Sequence, residues 1–293
     1  MCLPLKRVLR FIPRPTMNIG LVTDSTADIP LELQEQYGIE VVPALVNIDG
    51  RSYEDGIEIS REEFYTRLPN LNPPPTTSAP SVGAFQQRYE KLFHSGAKSV
   101  ISIHAANSLS GIFNAARLAA QEFGERVTVL DSGQLSLGIG FQVLSAAEGI
   151  ASGMGLKALL ALIEDVQQRV RVAALLDSME YIRRSGRVSW AKAMIGTLLH
   201  LRPLVEVRHG IVHRLGQART RLQGITRLTE TLQAHAPLDR LAILHTNAEA
   251  SARQLLDDVK SLVRGVPFIV NVTTAIGTHV GPNGLGFAAV PAR

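Results

Sequence analysis

Hydrophobic positions change rhythm repeatedly along the chain, and each change predicts an element. From Asn18 onward, short apolar runs alternate with stretches of helical spacing. A strand is expected over 19–23, leaving through Asp24-Ser25-Thr26, residue types that cap the turn after a strand. A second extended stretch covers 39–48. Ser60 with Glu63 three residues later predicts a capping box and a helix through Arg67. Residues 70–80, with prolines at 73–75, read as a loop, and Ser81 opens a helix to about His94. A buried strand follows over 99–104. Ser108, Ser110 and Gly111 lead into a helix ending near Ala120, and a strand over 127–130 precedes a helix over 138–152. This alternation predicts a mainly parallel sheet covered by helices.

Gly153-Met154-Gly155 interrupts the pattern and marks a predicted boundary. Beyond it, Leu156, Leu159, Leu160, Ile163, Val166 and Val170 form a face of 3.6 spacing. A short strand over 173–176 is expected, then a helix capped by Asp177 with Glu180 at its third position, and another helix over 189–199. The stretches 204–208 and 211–215 flank His209-Gly210, a two-residue hairpin signal. Helices over 220–235 and 249–264 and strands over 241–245 and 268–272 complete the pattern. The expected fold class is α/β, with a basic extension over 1–16, a first α/β domain over 17–154 with a mainly parallel sheet, and a second α/β domain over 155–293.

Charge changes the picture only at the N-terminus. The chain has 30 basic and 26 acidic residues, and the excess of 4 equals Lys6, Arg7, Arg10 and Arg14, which lie in a segment without an acid. The remainder is neutral, so a nucleic-acid-binding body is not indicated. That segment lacks the uninterrupted apolar core of a signal peptide and reads as a disordered extension or a start codon placed too early. Aromatic residues at 5% are too few for a base-stacking platform, and a single cysteine excludes a disulfide framework and a cysteine-rich zinc site. No apolar run reaches the roughly 18 residues that span a bilayer.

The common catalytic and cofactor motifs are missing. There is no GxxxxGK[ST], HExxH, GxSxG or GxGxxG, and no two of the eight histidines share metal-ligand spacing on one helix. What remains are four polar clusters in turns: Thr76-Thr77-Ser78-Ala79-Pro80, Asn107-Ser108-Leu109-Ser110-Gly111, Arg184-Ser185-Gly186-Arg187-Val188-Ser189, and the stretch from Gly277 to Gly284 containing His279. Hydroxyls, helix-terminal amides, an arginine and a histidine are the tools for holding one small anion, provided the clusters converge. Spacing alone leaves that open.

At these motifs the sequence resembles the DegV family. TDSTADIP at 23–30, YGIEVVPALVNIDGRSYEDG at 37–56, TTSAPS at 76–81, SLSGIFNAA at 108–116, DSGQLSLGIG at 131–140, YIRRSGRVS at 181–189, LLHLRPLVEVRHG at 198–210 and IGTHVGPNGLG at 276–286 follow the family's order. Departures fall at Ala79, at Ser185 before Gly186-Arg187, at His104 in the strand end Ile103-His104-Ala105-Ala106-Asn107, and at Asn283. The resemblance implies two α/β domains with a long-chain fatty acid in an apolar tunnel between or beside them. It implies a cytoplasmic, non-catalytic carrier without a cofactor, a nucleic-acid partner or stable membrane insertion. That carrier presents the acid's carboxylate to a separate ATP-dependent kinase, whose acyl phosphate feeds phospholipid synthesis. Carried over residue by residue, the head-group contacts fall on Thr77, Ser110 and His279, with Arg187 as the nearby positive charge and Arg219 as a basic docking residue for the kinase.

Elementary physics suits a carrier. Burying a methylene is worth about 0.8 kcal/mol, so a dozen give roughly 10 kcal/mol gross, and the carboxylate end needs only enough donors to avoid an unpaired buried charge. The alternative from the residues is an enzyme acting on an acyl or phosphoryl substrate, with Ser110 as nucleophile and His279 as base.

Overall fold

A computed structural model describes residues 18–192 and 201–293. The expected extension over 1–16 and most of the helix expected over 189–199 lie outside the described residues. The first half runs β1 (Ile19–Asp24), α1 (Leu31–Tyr37), β2 (Glu40–Val42), β3 (Leu45–Ile48), β4 (Arg51–Glu54), α2 (Arg61–Arg67), β5 (Thr76–Ser78), α3 (Val82–His94), β6 (Ser99–His104), α4 (Ile112–Ala120), β7 (Val127–Asp131) and α5 (Leu137–Ala151). The second runs α6 (Leu156–Arg169), β8 (Arg171–Leu175), α7 (Met179–Ser185), α8 (Ser189–Lys192), β9 (Arg202–Arg208), β10 (Ile211–Ala218), α9 (Arg221–Gln233), β11 (Leu238–His245), α10 (Glu249–Val259), β12 (Phe268–Asn271), α11 (Thr274–Val280) and β13 (Leu285–Pro291).

The expected parallel sheet is present, in the order β2-β1-β6-β7 with every pair parallel. All six residues of β1 are buried because both faces of the sheet are covered. Successive side chains take opposite faces, so Leu21 joins the cluster under α5 and Val22 the cluster under α3 and α4. Ser60 and Ser81 cap α2 and α3 by accepting from the N–H groups of Glu63 and Ala84 at 3.1 and 3.2 Å, contacts typically worth ~1 kcal/mol each.

Three expectations need correction in and around this half. The extended stretch over 39–48 breaks at Pro43-Ala44, and β2 joins the parallel sheet while β3 turns into a separate antiparallel sheet β4-β3-β5. The supposed loop over 70–80 contains β5, whose Thr77 pairs with Val46 of β3. Pairing with a partner strand overrides the local turn chemistry there. The helix after β8 is capped by Ser178, which accepts from Glu180 N–H at 3.0 Å, and not by Asp177, which instead bonds Arg202 at 2.9 Å.

The second sheet is mixed, in the order β10-β9-β8-β13-β11-β12, with only β11 and β12 parallel. The hairpin between β9 and β10 turns as expected, with φ of 50° at His209 and 74° at Gly210, the left-handed pair a tight hairpin of this type requires. A Cβ on Gly210 would also sit 2.6 Å from the Ser108 hydroxyl, because the hairpin tip docks against the segment before α4. α5 and α6, on either side of Gly153-Met154-Gly155, lie between the parallel sheet and the mixed sheet. One core cluster runs from Ile19 and Leu21 of β1 through Phe141 and Ile163 to Leu244 of β11 and Val290 of β13. α5 is apolar on nearly all sides because it is covered on nearly all sides.

Candidate functional site

A cavity of about 210 Å³ opens between the second sheet, α7 and the polar turns of the first half. Much of its wall is apolar, with Val172 of β8, Val205 and Val207 of β9, Val212 of β10, and Ile276 and Val280 of α11. Thr77, Ser110, Arg187 and His279 all line this one cavity, so the four clusters do converge. Arg219 does not: it is exposed between β10 and α9, where its backbone N–H donates to Gln223 at 3.1 Å.

Each polar residue is presented by a defined piece of backbone. Thr77 is the middle residue of β5, and its Oγ1 lies 2.8 Å from His279 Nε2, 202 residues away in sequence. His279 sits in the last turn of α11, whose start is capped by Thr273. Ser110 stands just before α4 and accepts from the Ile112 N–H at 3.3 Å. Arg187 follows the left-handed Gly186 after α7, and its Nη1 donates to the Ser185 carbonyl at 2.7 Å. No carboxylate pairs with Arg187 among the described residues.

The electrostatics favour an incoming anion. Burial, reinforced by the Arg187 guanidinium, pushes His279 down to about 4, so its imidazole is neutral near pH 7. In a neutral ring the tautomer decides the donor: with the proton on Nε2 the imidazole donates to Thr77, and with it on Nδ1 the Thr77 O–H donates to the ring, so either way the pair keeps one further proton to offer. The Ser110 O–H likewise has no acceptor among the described residues. The site therefore offers the Ser110 hydroxyl, one further proton from the Thr77–His279 pair and a cation without a carboxylate partner among the described residues, beside an apolar volume.

Three further hydroxyls line the cavity that the residue pattern did not single out: Thr26, Ser136 and Thr246. The first two stand inside the DegV-like blocks at 23–30 and 131–140, which is the signal that could have found them. Thr26 and Ser136 already donate their protons, to Asp24 and, at 2.6 Å, to Asp28, while Thr246 accepts from the Gly284 N–H at 2.7 Å. Ser136 has φ 52° and ψ −143°, a conformation that typically costs ~1–3 kcal/mol outside glycine.

Among the described residues Ser110 and His279 do not form a nucleophile–base pair. His279 Nε2 meets Thr77 and not Ser110, and no carboxylate orients its ring among the described residues. Among those residues no three of His, Cys, Asp and Glu gather to hold a metal ion, and no helix is long and apolar enough to cross a membrane.

The chain's likeness to known proteins covers almost all of it. The sequence model described as "Uncharacterised protein, DegV family" matches residues 18–292. Protein DegV of Bacillus subtilis is 34% identical over 278 residues, 92% of this chain and 98% of that one. A DegV domain-containing protein of Deinococcus radiodurans is 34% identical over 282 residues, 94% of this chain and 99% of its own length. Among solved structures, a fatty-acid-binding DegV family protein from Thermus thermophilus superposes with a TM-score of 0.85 at 34% identity, covering 94% of this chain and 100% of that one. The structure of Bacillus subtilis DegV, a fatty acid binding protein, superposes with a TM-score of 0.82 at 32% identity, covering 94% and 100%. The matching order of sequence blocks, the shared α/β fold and the extent of both likenesses lead to one conclusion: this chain belongs to the DegV family.

Proposed function

We propose that this protein binds one long-chain fatty acid, with the acyl chain in the apolar cavity and the carboxylate at Thr77, Ser110 and His279. The observation that carries the reading is the convergence of Thr77, Ser110, Arg187 and His279 on one apolar cavity, with the Ser110 O–H unengaged among the described residues. The Thermus thermophilus and Bacillus subtilis relatives, described as binding fatty acid, support it. Chain burial supplies affinity at about 0.8 kcal/mol per methylene, while the donors prevent a buried, unpaired carboxylate. Arg187 supplies the positive charge that offsets the carboxylate.

The carrier role goes one step further. The bound acid's carboxylate is presented, in the cytoplasm, to an ATP-dependent kinase that makes the acyl phosphate used for phospholipid synthesis. The exposed Arg219 serves as a docking contact for that kinase. Its guanidinium has no partner among the described residues, and Arg214, Arg221 and Arg227 lie close in sequence. A positive patch of this kind steers an acidic partner and makes association sensitive to salt.

Titration with hexadecanoate and with hexadecanol tests the binding reading. One hexadecanoate per chain, bound more tightly than the alcohol, is expected. Equal affinity for both would leave the polar cluster without a role in recognition.

A further inference from the structure

Two buried carboxylates from the first half of the chain grip the start of the helix that carries His279. Asp28 closes the turn after β1 in the left-handed region. Its Oδ1 accepts the Thr273 N–H at 2.8 Å and lies 3.4 Å from the Arg61 guanidinium, and its Oδ2 accepts the Ser136 O–H at 2.6 Å. Asp55, just after β4, uses Oδ1 to accept both the N–H of Thr274 at 3.0 Å and its O–H at 2.6 Å. Asp28 is 1% exposed and Asp55 3%. Tyr65 of α2 adds a third hold, donating its O–H to the Val272 carbonyl at 2.9 Å. Its hydroxyl would stand 2.4 Å from a Cβ at Gly277, so α11 rests directly on the ring.

None of Asp28, Asp55, Thr273 and Thr274 lines the apolar cavity, whereas Ala275, Ile276, His279 and Val280 do. The carboxylates therefore stand behind the wall and act on it through the helix.

We infer that Asp28 and Asp55 are positioning residues that aim α11 so that His279 meets Thr77 at the head-group site, an inference that rests on the binding reading above. α11 has seven residues, too few to be stable by its own hydrogen bonds. Its direction must come from what holds its ends. Bonds to carboxylates are the stronger kind, and a negative charge at a helix start is favourable. From Thr273 to His279 the helix rises about 9 Å, so a tilt of roughly 10° at the start displaces the imidazole by about 1.5 Å. That is enough to break the 2.8 Å contact with Thr77.

The test compares hexadecanoate with hexadecanol, ligands that share a chain and differ in the head group. In Asp55→Ala, hexadecanoate affinity should fall at least about tenfold and hexadecanol affinity should stay within about twofold. Asp55→Asn keeps the Oδ1 acceptor and should retain hexadecanoate affinity to within about threefold. Thr274→Val, which removes one donor without changing shape, should give a smaller loss in the same direction and stands in if Asp55→Ala does not fold. Equal losses for both ligands, or no loss for hexadecanoate, overturn the positioning role. His279→Ala is measured alongside. If it erases the preference for hexadecanoate while Asp55→Ala and Thr274→Val do not, only the positioning inference fails. If it leaves that preference intact, the head-group reading fails and the positioning inference falls with it.

Discussion

Two histidines, both bonded to hydroxyls, occupy opposite chemical situations in this protein. His104 on β6 takes Asp24 Oδ2 at 2.9 Å on Nδ1 and Ser102 Oγ at 2.6 Å on Nε2, and Ser102 continues to the Tyr89 hydroxyl at 2.9 Å. Asp24 also accepts from Thr26 and from the Ala105 N–H, and the Phe85 ring packs edge-on at 5.1 Å. Asp, His and Ser stand in line like a catalytic triad, yet all three are 0% exposed and none lines the cavity. Among the described residues His279 has only Thr77 as a hydrogen-bond partner, beside an apolar volume and an arginine without a carboxylate partner. Residue type does not separate a candidate ligand site from a structural network. Hydrogen-bonding capacity left over at the edge of a cavity does.

The sharpest way to break this contrast is at Asp24. Asp24→Ala strips His104, Thr26 and Ala105 of a buried acceptor and should cost about 3–5 kcal/mol of stability. Urea denaturation reads this directly, and a loss under about 1 kcal/mol would mean the network is not structural.

Acid titration sharpens the other side. His279 is held near 4 against its ordinary 6.5, so the unfolded chain takes the proton first. Its contribution is complete above pH 6.5 and is lost as pH falls toward 4, by about 3 kcal/mol. Burial lowers His245 in the same way, also to about 4. Asp28 works in the opposite direction, because burial raises it to about 6 and its contribution is complete in acid and lost as pH rises through 6. In ligand-free protein, His279→Gln should lose less stability between pH 7 and 4.5 than the wild type. Parallel stability curves would contradict the shift.

At the proposed head-group site, Thr77→Ala, Ser110→Ala and His279→Ala should each weaken hexadecanoate binding by about 1.5–3 kcal/mol. Ser110→Ala should cost at most ~1 kcal/mol of stability, since its Oγ caps a single amide. Calorimetric affinity set beside melting temperature separates the two effects, and unchanged affinity in all three variants would remove these residues from the site. Arg219→Ala gives the smallest effect on binding, none, while acyl-phosphate formation with the cognate kinase should drop. A parallel fall in fatty-acid affinity would assign Arg219 to the fold.

The parts of the fold that could be read from the chain are those set by local pattern. β1, β6 and β7 are apolar runs, α6 has a one-sided face, and His209-Gly210 carries the hairpin turn in its composition. β13 escaped because Leu285–Pro291 has no alternation: it lies at the middle of a sheet with β8 and β11 on its flanks and its first six residues buried. β5 escaped because it forms only by pairing with β3. The site residues were reachable through the DegV-like blocks, whereas the Thr77–His279 contact joins segments 202 residues apart, which no local pattern encodes. The Asp24–His104 network was hidden for the same reason, its two members standing 80 residues apart on neighbouring strands.

Fatty-acid occupancy of the apolar cavity is tested most directly by mass spectrometry of the protein purified from a bacterial host, first under native conditions and then after organic extraction. One long-chain fatty acid per chain, reduced in Ser110→Ala and His279→Ala, is the predicted result. A protein that arrives empty and fails to take up added long-chain acids would contradict it.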